Sequence, residues 1–113
     1  MTDLRFYLDS LGESPSEHWF SNLDAQAAAK VTVALARMEL GNFSNAKPVG
    51  EGVLEYRIEW GPGYRVYFGR DGDVLVILLT GGTKKRQQRD IDAAKALWTD
   101  YKQRRPKRRQ KET

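Results

Sequence analysis

The sequence predicts an α+β fold in which helices pack against an antiparallel sheet. Apolar residues recur at helical spacing in two separate stretches, and a stretch with period-two alternation lies between them. A length of 113 residues allows one domain of ordinary size and little else. We therefore expect, in chain order, a short N-terminal strand, a two-helix hairpin, a three-stranded antiparallel meander and a C-terminal helix.

The first third of the chain indicates a strand followed by two helices. Apolar and polar residues alternate over positions 4–8, which predicts a brief strand. Ser14 precedes Pro15 and is followed three residues later by a glutamate, a pattern typical of a helix that begins after an N-cap serine. Asp24 is a second N-cap, and apolar residues spaced by three and four then predict a helix over 25–40. Two helices joined so closely are expected to pack as a hairpin.

Alternation with a period of two predicts the meander. Even-numbered positions are apolar over 53–60, and the same parity resumes over 64–68 after the Gly-Pro-Gly turn at 61–63. Asp71-Gly72 is a strong hairpin signal that leads into a third strand over 74–80. Because that third strand is apolar at almost every position, both of its faces are expected to be covered. On the first two strands, one face is expected to pack and the other to point outward.

The C-terminal quarter predicts a helix and a basic tail. Apolar residues at helical spacing extend over 87–101. The last twelve residues, 102–113, include seven basic residues and a proline but no apolar side chain to bury. We expect one domain over residues 1–103, followed by a disordered basic tail over 104–113. An arm that follows nucleic-acid phosphates and a merely solvated tail are both consistent with this composition.

Residue types that are missing or scarce exclude several classes of site. The chain has no cysteine, which excludes disulfides, thiolate zinc sites and cysteine nucleophiles. His18 is the one histidine, so a multi-histidine metal cluster is excluded too, and we expect neither a metal nor a cofactor. No apolar run approaches the roughly 18 residues of a membrane-spanning helix, and the N-terminus does not resemble a secretory signal. We expect a cytoplasmic protein without a membrane partner.

The net charge of +4 hides an asymmetry along the chain. Residues 1–83 contain 7 Lys and Arg against 11 Asp and Glu, whereas residues 84–113 contain 12 against 4. The basic character is therefore almost wholly C-terminal, which favours a polyanionic partner for that part of the chain.

The first hairpin of the meander gathers polar side chains on one face. If Trp60 lies opposite Tyr64 across the Gly-Pro-Gly turn, every odd-numbered residue of the two strands emerges on the same side. The polar set on that face is Glu55, Arg57, Glu59, Arg65 and Tyr67, with Glu59 opposite Arg65 and Arg57 opposite Tyr67. Arginine has a planar fork that matches phosphate oxygens, and its charge does not titrate away. Ordinary solubilising ion pairs on an exposed sheet face are the alternative interpretation.

The third strand is expected to border this polar face. If Arg70 lies opposite Asp73 in the second hairpin, Val76, Leu78 and Thr80 join the polar face, while Leu75, Ile77 and Leu79 join the core side. A Gly-Gly turn at 81–82 then allows a sharp bend. The bend brings three further cations to the same edge, namely Lys84, Lys85 and Arg86. The result is a candidate cationic site for a phosphate.

Several motifs together resemble one known family. They are GVLEYRI at 52–58, GPGYRVYF at 61–68, LLTGGTKKRQ at 78–87 and DIDAAK at 90–95. These stretches resemble the phage-derived HigB-like branch, the addiction module killers, of the RelE/ParE toxin superfamily, over about positions 3–102. The resemblance implies a RelE-like fold in a toxin domain over 1–103 and the toxin half of a type II toxin-antitoxin pair.

The resemblance also implies an activity and partners. The family's usual activity is metal-independent cleavage of mRNA in the ribosomal decoding site, through the RNA's own 2′-OH. The usual partner is an antitoxin with a helix-turn-helix domain, with which the toxin can form a hetero-oligomer on operator DNA. The ribosome and mRNA are the other expected partners. Two alternatives remain open: a ParE-like inhibitor of DNA gyrase, and a degenerate module that only binds antitoxin or nucleic acid.

The resemblance implies roles for individual residues that match positions of the family's motifs. Arg65 occupies the arginine assigned to the scissile phosphate, and Arg57 lies where a basic residue of the preceding strand is common. Glu55 and Lys84 are the candidates for assisting proton transfer from the 2′-OH, and Tyr67 and Lys84 are the candidate proton donors to the leaving 5′-oxygen. The candidate substrate-binding residues are Lys85, Arg86 and Arg89.

Overall fold

The protein, described by a computed structural model over residues 1–105, is a mixed five-stranded sheet with helices on both faces. Its elements in chain order are β1 (Asp3–Phe6), α1 (Pro15–Ser21), α2 (Ala25–Glu39), β2 (Ala46–Gly50), β3 (Val53–Ile58), β4 (Tyr64–Asp71), β5 (Leu75–Thr83) and α3 (Gln87–Arg104), with a single 3₁₀ turn at Lys84–Arg86 before α3. The spatial order is β1-β5-β4-β3-β2, with β1 parallel to β5 and the other pairs antiparallel. The predicted α+β class is confirmed.

Both predicted N-caps of the helical hairpin are present. The Ser14 hydroxyl accepts a hydrogen bond from the backbone N–H of Glu17 at 2.9 Å, and Pro15 is the first residue of α1. The Asp24 carboxylate accepts one from the backbone N–H of Ala27 at 2.8 Å. Each cap satisfies a backbone donor that the first helical turn leaves without an internal partner.

The sheet separates two apolar clusters. The first lies between the sheet and the helices α1 and α2, and the second lies under α3. Trp98 of α3 packs in the second cluster together with Val53 and Ile77. The prediction that one face of the meander points outward is therefore wrong, because α3 crosses that face and six consecutive residues of β4, from position 64 to 69, are buried.

The edges of the sheet differ from the prediction. β2 was not expected, because its sequence AKPVG contains a proline and a glycine and has no alternation. An edge strand tolerates both residues, since one side of its backbone needs no ladder partner. β1 ends at Phe6, before the expected position 8, and its parallel pairing with β5 makes the sheet mixed.

The first hairpin has a longer connection than expected. Within it, the Trp60 N–H donates to the Ile58 carbonyl at 2.9 Å, and the Gly63 N–H donates to the Trp60 carbonyl at 3.0 Å. Ile58, not Trp60, therefore lies opposite Tyr64. The pairing shifts by two, so Arg57 lies opposite Arg65 and Glu55 opposite Tyr67. A shift of two preserves the side on which each residue emerges, so the polar set still shares one face.

The second hairpin reverses the predicted sides of β5. Asp71 lies opposite Leu75 across a three-residue loop, and Arg70 faces Val76 where Asp73 was expected. Val76 and Leu78 consequently pack on the side of α1 and α2, and Leu75, Ile77 and Leu79 pack on the side of α3. A bulge between Tyr67 and Phe68 in the pairing with β5 then places Thr80 opposite Tyr67, and so on the polar face, which is the side expected for Thr80.

The predicted basic tail falls largely outside the described residues. Arg104 is the last residue of α3, and Arg105 forms an ion pair with Asp71 at 2.9 Å. Residues 106–113 lie outside the described range. Among the helices formed by residues 1–105, none has the length and hydropathy needed to cross a membrane.

Candidate functional site

Glu55 is the centre of a polar cluster between the sheet and α3. Its side chain is fully buried and accepts three hydrogen bonds. Arg57 Nε donates at 2.8 Å, the Gln87 amide at 2.8 Å and the Tyr67 hydroxyl at 3.1 Å. β3, β4 and the first turn of α3 each contribute a donor, so the carboxylate ties the three elements together.

These hydrogen bonds fix the protonation states of the cluster. Burial alone would raise the pKa of the Glu55 carboxyl, but the bonds from Arg57, Gln87 and Tyr67 outweigh it and hold that pKa below its ordinary value. Burial and the neighbouring Glu55 charge raise the pKa of Tyr67, so its hydroxyl stays protonated. The hydrogen bond to Glu55 raises the pKa of Arg57. Glu55 is therefore a carboxylate beside a hydroxyl and permanent cations.

Arg65 lies beside Glu55 and is only 2% exposed. Its Nη1 donates to the Tyr64 carbonyl at 3.2 Å, while its Nε lies 3.9 Å from Glu55 Oε1 and its Nη1 lies 3.9 Å from Glu59 Oε2. Both ion-pair distances are too long for hydrogen bonds. Arg65 Nε makes no hydrogen bond to any of residues 1–105. The guanidinium charge is thus balanced by two carboxylates, and Nη1 faces Glu59, whose side chain is exposed.

A glycine brings Lys84 close to Arg65. The Lys84 N–H donates to the Gly63 carbonyl at 2.7 Å, which joins the turn after β3 to the turn after β5. Gly63 has φ of 80°, and a Cβ atom there would lie 3.3 Å from Lys84 Cβ and 3.6 Å from Arg65 Nη1. A side chain at this position would therefore be strained and crowded. The contact places the start of the basic 3₁₀ turn at the edge of the Arg65 site.

The predicted residues are brought together to different degrees. Four of them, Glu55, Arg57, Arg65 and Tyr67, converge in the cluster, and Lys84 is adjacent to it. The remaining three are exposed on the 3₁₀ turn and on the first turn of α3; they are Lys85, Arg86 and Arg89. Their contribution to the site is a local positive charge at its rim.

Two residues of α3 were missed as members of the cluster. Gln87 donates to Glu55, and Asp90 lies over Gly82, where a Cβ atom would collide with its carboxylate. Asp90 Oδ2 is buried without a hydrogen-bond partner among residues 1–105, and burial raises the Asp90 pKa against the opposing charges of Arg86 and Arg89. The sequence feature that could have identified both residues is their spacing of three, which puts Gln87 and Asp90 on one face of the first turn of α3.

Comparison with known proteins identifies the family. The family model described as Phage derived protein Gp49-like (DUF891) matches residues 18–99, a range that contains every candidate site residue. An uncharacterised protein of Haemophilus influenzae is similar to this chain, with 45% identity over 82 residues that cover 72% of this chain and 83% of that protein. The chain therefore belongs to the phage-derived Gp49-like family, a toxin-like addiction-module family related to RelE and HigB.

Proposed function

We propose that the protein is the toxin of a type II toxin-antitoxin pair and cleaves mRNA on the ribosome through the 2′-OH of the RNA, without a metal ion. The observation that carries the proposal is Arg65, a buried guanidinium whose Nη1 lies 3.9 Å from the exposed Glu59 carboxylate, a position that a phosphate can take, and whose Nε has no hydrogen-bond partner among residues 1–105. A phosphate oxygen is the acceptor that an arginine fork fits best.

Arg65 and Arg57 supply the electrostatic part of the reaction. Attack of the 2′-OH on the adjacent phosphate increases the negative charge on the phosphate oxygens, and fixed cations in a site shielded from water stabilise that charge. The two arginines lie opposite each other on β4 and β3, and Glu55 orients Arg57 through its Nε. The phosphate replaces the Glu59 carboxylate, which is exposed and holds Arg65 only loosely at 3.9 Å.

Hydrogen bonds divide the roles of the other predicted residues. Tyr67 donates to Glu55, which also accepts from Arg57 and Gln87, so Glu55 and Tyr67 act as positioning residues in place of the expected base and proton donor. The exposed Lys84 side chain follows a backbone fixed to the Gly63 carbonyl, and it serves as the proton donor to the leaving 5′-oxygen. RNA supplies its own nucleophile, so the protein needs none, and the proton that the attacking 2′-OH loses passes to water.

The proposed partners follow from the family and from the charge. The relation to RelE and HigB supports a helix-turn-helix antitoxin, with which the toxin assembles on operator DNA. The exposed cations Lys85, Arg86 and Arg89 provide contacts to phosphates of the mRNA or of ribosomal RNA.

Controlled expression followed by sequencing of mRNA 5′ ends tests the proposal. Wild-type protein is expected to arrest growth and to produce discrete cuts in translated regions. Arg65→Lys keeps the charge but loses the planar fork, so cuts and arrest are expected to disappear while the thermal melt stays close to that of wild type. Arg70→Lys on the same strand is the matched control and should cut normally.

Two results would contradict the proposal. Intact transcripts together with DNA damage would indicate a gyrase inhibitor of the ParE type. Normal growth when the antitoxin is depleted would indicate a module that only binds.

A further inference from the structure

A groove of about 460 Å³ lies between α2 and the β2–β3 edge of the sheet, on the side away from α3. Its walls come from one face of α2, the segment leading into β2, and the end of β3. Its lining includes Lys30, Arg37, Lys47, Arg57, Glu59 and Trp60.

The charge of this groove is opposite to the net charge of residues 1–83. Residues 1–83 contain more acidic than basic residues, 11 against 7. The seven basic residues are Arg5, Lys30, Arg37, Lys47, Arg57, Arg65 and Arg70. Four of the seven line the groove, and Glu59 is the acidic residue in its lining. Random placement on an acidic body does not concentrate cations in this way, so the groove is suited to a polyanion.

Three of these four cations form no ion pair within residues 1–105. They are Lys30, Arg37 and Lys47, and all three are exposed. Lys30 and Arg37 are seven residues apart on one face of α2, which separates them by about 10.5 Å along the helix. Two phosphates of an extended strand could therefore be contacted at once.

The groove also offers an aromatic surface. Trp60 is partly exposed in the lining, and Lys30 Nζ lies 5.6 Å from the centroid of its ring. Tyr64 stacks on Trp60 with ring centroids 6.2 Å apart, which supports the indole from within. A basic groove with an aromatic platform is the usual arrangement for single-stranded nucleic acid, whose bases stack while its phosphates pair with cations.

The groove is continuous with the candidate site. Arg57 lines the groove and also donates to Glu55, and Glu59 lines the groove and lies 3.9 Å from Arg65. A strand with its scissile phosphate at Arg65 would pass Arg57 near the end of β3 and continue around the sheet into the groove, which lies on the opposite side. An acidic protein segment would meet the same cations, but it would have no use for Trp60 as a stacking surface.

From this we infer that the groove binds the single-stranded RNA that flanks the scissile phosphate. The inference deepens the proposed function and rests on it. Phosphates contact Lys30, Arg37 and Lys47, and a base stacks on Trp60. The groove thus sets how far the bound RNA extends beyond the reacting nucleotide.

Fluorescence anisotropy with a labelled 2′-O-methylated RNA 12-mer tests the inference, because this probe binds but lacks the nucleophile for cleavage. Lys30→Gln combined with Arg37→Gln is expected to weaken binding about tenfold at low salt. The same change should lower the slope of log K against log salt by about 1.4, since each lost contact to a single strand removes about 0.7. The matched control, Arg5→Gln with Arg70→Gln, removes the same charge elsewhere and should change binding less than about twofold.

Each other outcome overturns the inference. If affinity and salt dependence are unchanged in the groove variant, or if the wild type does not bind RNA even at low salt, the groove is not an RNA-binding site. If the groove variant still binds RNA but no longer binds an acidic antitoxin peptide, the groove is a protein-binding site. Cleavage assays separate the two proposals. If the groove variant binds and cleaves RNA normally while Arg65→Lys does not cleave, only the groove inference is refuted. If Arg65→Lys still cleaves RNA while the groove variant binds it poorly, only the catalytic site is refuted.

Discussion

Replacing Glu55 by glutamine tests the polar cluster most sharply. Glu55→Gln keeps the shape of a fully buried side chain but removes its negative charge. One of its two oxygens becomes an NH₂ donor, which then faces donors from Arg57 on one side or from Tyr67 and Gln87 on the other. Arg65, 3.9 Å away, also loses its buried counter-charge.

The cost can be worked out from burial and exposure. Removing one partner of a buried ion pair costs about 3–5 kcal/mol, and a hydrogen bond to a charged group contributes about 1.5–3 kcal/mol. Because the Arg57 side chain is 34% exposed, water partly solvates its charge after the substitution. The cost is therefore expected at the lower end of the range of about 3–5 kcal/mol, about 3 kcal/mol. For a domain of this size, 1 kcal/mol corresponds to a shift in Tm of about 4 °C. We therefore expect Tm to fall by about 12 °C at pH 7.

Thermal melts followed by circular dichroism provide the assay, and pH provides its internal check. The pKa of Glu55 is lowered by folding, so the carboxylate stabilises the fold above its ordinary pKa and loses that effect as the pH falls through the lowered value. The difference in Tm between wild type and Glu55→Gln should therefore shrink below about pH 4.5. Glu51→Gln, an exposed carboxylate 3.5 Å from Lys95, is the control and should cost under about 1 kcal/mol. A Glu55→Gln melt within about 2 °C of wild type at pH 7, or a difference that widens in acid, would refute the description of the cluster.

Three further predictions follow from particular contacts. Gly81→Ala places a Cβ atom inside the Trp19 indole and should destabilise the fold by at least about 1–3 kcal/mol in urea unfolding; a wild-type midpoint would contradict the packing of α1 on β5. Tyr67→Phe removes one of the three donors to Glu55 and should cost about 1 kcal/mol, clearly less than Glu55→Gln; an equal cost would mean that the hydroxyl dominates the cluster. Glu59→Gln removes the carboxylate that competes for Arg65 and should tighten binding of the 2′-O-methylated RNA about threefold, and weaker binding would show that Glu59 itself contacts the substrate.

The alternation of the meander was enough to predict which side chains share a face. Odd-numbered residues of β3 and β4 emerge together whether Trp60 or Ile58 lies opposite Tyr64, so the error of two in the pairing left Glu55, Arg57 and Arg65 on one side. On β5 the loop is longer by one residue than expected, and an odd shift reverses the sides. The predicted side of each residue is therefore unchanged by an even error in the pairing but reversed by an odd one.

Burial of the site could not be predicted from the strands alone. Charged residues at alternate positions favoured an exposed face, yet α3 covers it, and Glu55 and Arg65 are buried against each other. The helix itself was predicted with its first residue correct, at Gln87. What the periodicity did not reveal is that the first turn of α3 completes the cluster, because the long-range packing that brings Gln87 to Glu55 leaves no mark on local spacing.

The proposed reaction is cleavage of RNA at the Arg65 site through the 2′-OH. The most direct test uses purified protein and ribosomes programmed with two mRNAs that differ by a single 2′-deoxynucleotide on the 5′ side of a mapped cut. Because the 2′-OH is the proposed nucleophile, the all-ribose mRNA should be cut to give a 2′,3′-cyclic phosphate and a 5′-hydroxyl end, and the deoxy-substituted mRNA should remain intact. Equal cutting of both mRNAs, or products with 5′-phosphate ends, would rule out this reaction.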